Sequence, residues 1–197
     1  MQRKYTLADV AEVRPGYQFR SKVPEAERGR PVVQASDIAA SDFTVRFAGA
    51  KRTNESIDPR FLVQGKDVLI VSRAVPGSKF KAGVVPADLA GAVATTSVYT
   101  IRIADQNQLL PEFLALYLSS AIGQRAIQQH ATGTVALAVP RRAVSTICVP
   151  VPSLREQHDC IAYRSALATL QARYEQKVSL LDELLQGKFY QLTNAGV

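Results

Sequence analysis

The stretch "ICVPVPSLREQHDCI", residues 147–161, sets two kinds of structure side by side. Ile147, Val149 and Val151 favour an extended chain, while Pro150 and Pro152 each remove a backbone donor. Such a strand belongs at an edge or an end of a sheet. Ser153 then precedes Glu156 by three residues. This Ser-x-x-Glu spacing is a capping box, in which both side chains satisfy N–H groups left bare by a first helical turn. The chain is therefore predicted to leave a strand at Val151-Pro152 and to enter a helix at Ser153.

Downstream, no proline occurs from Leu154 to Leu192, and the only glycine is Gly187. Leu167, Leu170, Tyr174, Val178, Leu181 and Leu185 recur every three or four residues. Arg164, Gln171, Arg173, Glu175, Lys177, Asp182, Glu183 and Lys188 fill the remaining surface. So narrow an apolar stripe is the pattern of a coiled-coil seam, here a dimerisation seam. At 1.5 Å per residue the helix would run roughly 55–60 Å, longer than a small domain is wide, and its seam needs a partner helix.

Upstream, β-prone runs dominate. Residues 5–13, "YTLADVAEV", read as a short helix or a strand-helix passage ended by Pro15-Gly16. "PVVQASDI" reads as a strand and a polar turn, and "DFTVRFA" alternates as a half-buried strand does. Residues 64–85 form a hairpin-type unit: a turn at Gly65-Lys66, a buried strand "DVLIV", a loop "RAVPGSK" and a second strand "KAGVV". "TTSVYTIRI" is a further strand. "LPEFLALYLSSAIGQRAIQQHA", 110–131, reads as one helix with Pro111 at its first position, followed by a Gly/Thr loop and a basic segment. The fold class expected is α+β. A β-rich domain with packed helices spans 1–152, and the long helix spans 153–197.

Composition narrows the function. The 197 residues carry 24 basic and 17 acidic side chains, a formal charge of +7. That balance suits a polyanion, whose counterions are released on binding, although charge also serves solubility alone. Two cysteines and two histidines in no metal-type cluster argue against a zinc site and fit a reduced, cytoplasmic setting. The N-terminus lacks the apolar core of a secretory signal, and no run is long enough to span a membrane. Phosphate-binding, dinucleotide-binding, zinc-protease and nucleophile-elbow motifs are all missing, so no catalytic residue, cofactor or metal is expected. Asp67 with Glu55, Asp58 and Lys66 could be drawn as a nuclease cluster, but Asp67 reads more simply as a turn residue before a core strand.

Basic and polar groups gather in the loops, where side chains can neutralise phosphates or read base edges. The candidate DNA contacts are Arg14, Tyr17, Gln18, Arg20 and Lys22, then Gln34 and Ser36, then Lys51, Arg52 and Asn54. Further along come Arg73, Ser78, Lys79 and Lys81, then Thr95, Thr96 and Ser97, then Thr132, Thr134, Arg141 and Arg142. Gly77 and Gly133 would let the backbone approach a phosphate closely.

Taken in order, these segments resemble the specificity subunit of type I restriction-modification systems. "TLADVAEVRPG" is similar to that family's opening segment, "PVVQASDI" to its second strand and turn, and "LVQGKDVLIVSRAVPGSKFKAGVV" to its Gly-Asp strand and loop. "LLPEFLALYLSS" and "TGTVALAVPRRAVSTI" resemble the helix and Gly-Thr loop that follow, the opening stretch resembles the Pro-x-Pro-x-x-x-Glu-Gln junction, and "LLDELLQGKFYQL" the helical end. One departure lies at Gly65-Lys66-Asp67, which carries an inserted residue.

The resemblance implies a non-catalytic subunit that selects double-stranded DNA for a partner DNA adenine methyltransferase and, where present, a motor-endonuclease subunit. Complete members carry two recognition domains and two helices. One domain and one helix, without internal repeat, imply a half-length form acting as a homodimer on a split palindrome. A free-standing dimeric DNA-binding regulator and a silent half-gene remain as alternatives.

Overall fold

The computed structural model describes residues 4–23, 26–39, 43–47 and 51–194. Its central sheet has the order β2–β9–β5–β7, all antiparallel: β2 Ala11–Arg14, β9 Val98–Ile103, β5 Val68–Val71 and β7 Ala82–Val84. The continuous apolar run of β5 follows from its place in the middle. Val68 and Ile70 face one hydrophobic cluster while Leu69 and Val71 face another, so both faces of the strand are buried and period-two alternation disappears.

On one face the main core is closed by α1 (Leu7–Val10), α2 (Pro111–Ser119), α3 (Ala121–Gln128) and α4 (Arg141–Ser145), with β1 (Lys4–Thr6) and β11 (Cys148–Pro150) paired beside them. The other face carries the second cluster and the sheet β4–β3–β8: β4 Arg52–Thr53, β3 Arg30–Val33 and β8 Val93–Ala94. A two-stranded ribbon, β6 (Arg73–Ala74) with β10 (Leu137–Ala138), completes the sheets.

The expected hairpin unit is present as β5 and β7, but the segment between them is not loop alone, since Arg73–Ala74 form β6. The unit's turn absorbs the inserted residue by placing Lys66 at φ +71°. Gln64 N–H donates to Asp67 Oδ2 at 2.7 Å, and Asp67 N–H to the Gln64 carbonyl at 3.1 Å. Asp67, 3% exposed, also receives two bonds from Arg102 at 2.8 and 2.7 Å. It is thus the turn residue that its place before a core strand suggested, and in addition a buried ion-pair partner.

Three further sequence expectations change. The single helix over 110–131 is two helices. Ser120 ends α2 and caps α3, its Oγ donating to the Tyr117 carbonyl at 2.6 Å and accepting from Gly123 N–H at 3.1 Å. The corner is tight: a Cβ on Gly123 would lie 2.1 Å from the Tyr117 oxygen. The basic segment after the Gly/Thr loop contains α4 rather than loop alone. "DFTVRFA" forms no strand over its described residues. Phe43 sits at φ +54°, and Thr44 and Val45 make single bridges to Val84 and Ile38.

The last helix, α5, runs Leu154–Asn194. Its capping box is made: Ser153 N–H donates to Glu156 Oε2 at 2.9 Å and Glu156 N–H to Ser153 Oγ at 3.4 Å. The chain divides into two compact units, Met1–Ile161 and Ala162–Val197, so the first two turns of α5 belong with the domain. Gln157 holds them there. It is fully buried, accepts from Leu110 N–H at 2.8 Å, and donates to the carbonyls of Gln108 and Pro152 at 2.8 and 2.9 Å. In the second unit the seam residues Leu167, Leu170, Tyr174, Val178, Leu181 and Leu185 are 49–65% exposed. Among the described residues no helix is long and apolar enough to cross a membrane.

Candidate nucleic-acid interface

The turn Thr95–Ser97 gathers several of the candidate loops. Tyr17 N–H donates to the Ala94 carbonyl at 2.8 Å, and Thr95 N–H to the Val33 carbonyl at 3.0 Å. This carries the first loop and the Gln34-Ser36 turn to one place. Gly16 permits the approach, since a Cβ there would lie 2.0 Å from the Thr95 oxygen. From the other side Ser72 N–H donates to the Ser97 carbonyl at 2.8 Å, and Val139 N–H to the Ser72 carbonyl at 3.0 Å. The chain of bonds therefore runs from Tyr17 through Thr95–Ser97 to the β6–β10 ribbon. Thr96 lies exposed on that turn, and Thr95 and Ser97 join their hydroxyls at 2.9 Å.

The ribbon couples a basic loop to a Gly/Thr loop. β6 opens into 75–81, with Arg73, Ser78, Lys79 and Lys81 exposed, and β10 closes 131–136, with Thr132 and Thr134 exposed. Phe80 plants the foot of the first loop in the core, fully buried between its exposed lysine neighbours. Gln124 clamps that foot: its Oε1 accepts from Phe80 N–H at 2.9 Å, and its Nε2 donates to the carbonyls of Phe80 at 2.9 Å and Leu118 at 2.7 Å. Gly133 at φ +109° serves the second loop's own closure, because a Cβ would meet the Ala136 oxygen at 2.2 Å. Gly77, φ +84°, has open space around its Cβ position.

A second group lies along β2. Arg14 pairs with Glu12, and the Arg141 guanidinium donates to the Val13 carbonyl at 3.0 Å. The Arg14 hydrogen bond holds the Glu12 carboxyl below the usual glutamate range against slight desolvation, and the charges of Arg14, Arg102 and Arg141 assist. Glu12, Arg14, Pro15, Arg60 and Phe61 line a shallow cleft of about 400 Å³. Arg142 is exposed on α4.

Other candidates have structural partners. Tyr17 stacks edge-on against Phe19 and Phe61, with centroids 4.9 and 5.3 Å away, and its hydroxyl donates to Glu55 at 3.3 Å. Gln34 is half-buried at the start of a short 3-10 turn, and Ser36 is exposed on it. Arg52 donates to the Gly29 carbonyl at 3.0 Å and lies over Phe47. Gln18, Arg20 and Lys22 are exposed on the first loop, apart from the ribbon in sequence. Among the described residues no group of His, Cys, Asp or Glu is placed to hold a metal.

Sequence reasoning missed Gln124, Gln157 and Arg102, each of which has partners 35–49 residues away. No local pattern carries a pairing of that range. The Glu-Gln dipeptide of the junction was the one visible trace of Gln157.

The fold has counterparts. The model of the type I restriction modification DNA specificity domain matches residues 2–178. Among solved structures, the HsdS subunit from Thermoanaerobacter tengcongensis is 18% identical with a TM-score of 0.62, covering 96% of this chain and 44% of that one. The type I restriction-modification S subunit from M. genitalium is 18% identical with a TM-score of 0.58, covering 99% and 47%. A chain from a structure of type I R-M complex assembly and conformational transition is 22% identical with a TM-score of 0.61, covering 94% and 45%. This chain thus spans less than half the length of these solved chains. No curated protein matches it. With the family model covering most of its length, the chain belongs to the type I restriction modification DNA specificity domain family.

Proposed function

We propose that this protein is the DNA-sequence-specificity module of a type I restriction-modification complex. It binds double-stranded DNA and directs a partner adenine methyltransferase, and a motor-endonuclease subunit where one exists, with no catalysis of its own. Residues 1–152 read the DNA and 153–197 form the spacer and dimerisation helix, with the buried Gln157 as the joint. The observation that carries the reading is the family match over residues 2–178. The loops support it: from Val68 to Ala87 and from Phe113 to Arg155 there is no acidic residue, and the ribbon joins these segments. A polyanion meets no repulsion there.

The exposed seam supports a twofold pair. Burying Leu167, Leu170, Tyr174, Val178, Leu181 and Leu185 against a second copy gives an isologous contact and two identical readers, hence a split palindromic site. The test is a map of N6-methyladenine in a host without other modification, expressing this chain with the methyltransferase encoded beside it. A new bipartite palindrome that disappears when this chain is omitted supports the reading. An asymmetric motif replaces the homodimer with a different second half, and no new motif overturns the specificity role.

A further inference from the structure

Val135 is 85% exposed and Val75 is 60% exposed, in a domain whose other valines are mostly buried. Neither position follows from strand alternation, and both lie at the tips of the loops that the β6–β10 ribbon couples. The register pairs Leu137 with Ala74 and Ala138 with Arg73. Continued by one step, it sets Ala136 opposite Val75, where the chain turns at Pro76-Gly77, and Val135 is the next residue on the other side. The two valines therefore stand at the same end of one ribbon.

Their surroundings specify a partner. Arg73, Lys79 and Lys81 flank Val75 in sequence, and Thr132 and Thr134 flank Val135. No carboxylate occurs in either segment. The feet of the loops are fixed by the buried Phe80 with its Gln124 clamp, and by the bonds from Val139 to Ser72 and from Tyr99 Oη to the Val139 carbonyl at 3.0 Å. Two small branched apolar side chains thus sit on a finger whose feet are fixed and whose charges, all on the 73–81 side, are cationic. A protein partner would gain little from so small an apolar area under unopposed positive charge. In duplex DNA, cations meet phosphates, and the major groove offers one apolar group, the C5 methyl of thymine.

We infer that loops 75–81 and 131–136 act as a single recognition finger in which Val135 and Val75 read thymine methyl groups in the major groove. This rests on the proposed DNA-specificity role and names two determinants of its readout. Arg73, Lys79 and Lys81 position the finger on the phosphates, and the valines supply discrimination that cations cannot.

The experiment uses the full chain and the duplex motif found by methylation mapping. Each thymine is replaced in turn by deoxyuridine, which removes only the methyl group, and binding is measured for the wild-type chain, Val135→Ala and Val75→Ala. The inference expects one or two positions at which deoxyuridine weakens wild-type binding about fourfold, the worth of one buried methyl group. At those positions the matching alanine variant should lose most of that sensitivity. Both valines are exposed, so thermal melting should show unchanged folding. If no position is sensitive, or if both variants keep the wild-type sensitivity at every position, the inference is overturned while the specificity role stands. Should the chain direct no motif at all, the failure belongs to the specificity role instead.

Discussion

Leucines behave in opposite ways in the two units of this chain. In the domain, Leu7, Leu69, Leu114 and Leu118 are all but inaccessible, sealed between sheet and helices. In the second unit, Leu167, Leu170, Leu181 and Leu185 keep about half their surface exposed. The same side chain thus reports two kinds of completeness. The domain buries most of its apolar residues within itself, on both faces of β5. The helix satisfies its backbone alone, as any helix does, and its seam stays exposed in the single chain.

This contrast can be broken by substitution. Leu118→Ala should destabilise the domain by about 2–5 kcal/mol, because a fully buried leucine leaves a cavity. Chemical denaturation followed by circular dichroism measures it. Leu181→Asp with Leu185→Asp should leave domain melting unchanged yet weaken self-association on the order of a hundredfold, since carboxylates would be buried in an apolar seam. If these substitutions unfold the domain, the seam belongs to its core and the contrast fails.

Gln157 sharpens the boundary between the two regimes. Gln157→Ala strands the Leu110 N–H and two carbonyls. It should cost about 1–3 kcal/mol, seen as loss of hydrogen-exchange protection at Leu110 and in the first turns of α5.

The smallest effect concerns the capping box. Hydrogen bonds from Ser153 hold the Glu156 carboxyl below the usual glutamate range. A depressed carboxylate stabilises the helix start at pH values above its unfolded pKa, and that stability fades as pH falls through the lowered folded value. NMR titration should therefore find Glu156 more acidic than an ordinary glutamate, and Ser153→Ala should return it toward normal.

Where local chemistry governed, the structure was legible in the sequence. The Ser153–Glu156 box, the proline-interrupted strand at 148–150 and the apolar run 68–71 all appear where their residues place them. Local signals that compete were harder to read. Ser120 and Gly123 break an apolar period that would otherwise continue, because a cap and a missing Cβ outweigh the repeat. Phe43 takes a left-handed φ that no alternation pattern announces. The candidate interface was legible as a set of polar loops but not as an arrangement. The pairing of Arg73 with Ala138, and the Gln124 clamp on Phe80, join residues far apart in sequence. The exposed tips Val75 and Val135 read as ordinary β-formers until their loops are placed.

The most direct test of the contrast between a self-sufficient domain and an incomplete helix is the mass of the full chain in solution at micromolar concentration, by sedimentation equilibrium. A mass of twice 21.4 kDa, falling to 21.4 kDa in the Leu181→Asp, Leu185→Asp variant, is the predicted result. A wild-type chain that sediments at 21.4 kDa with α5 intact by circular dichroism would contradict it.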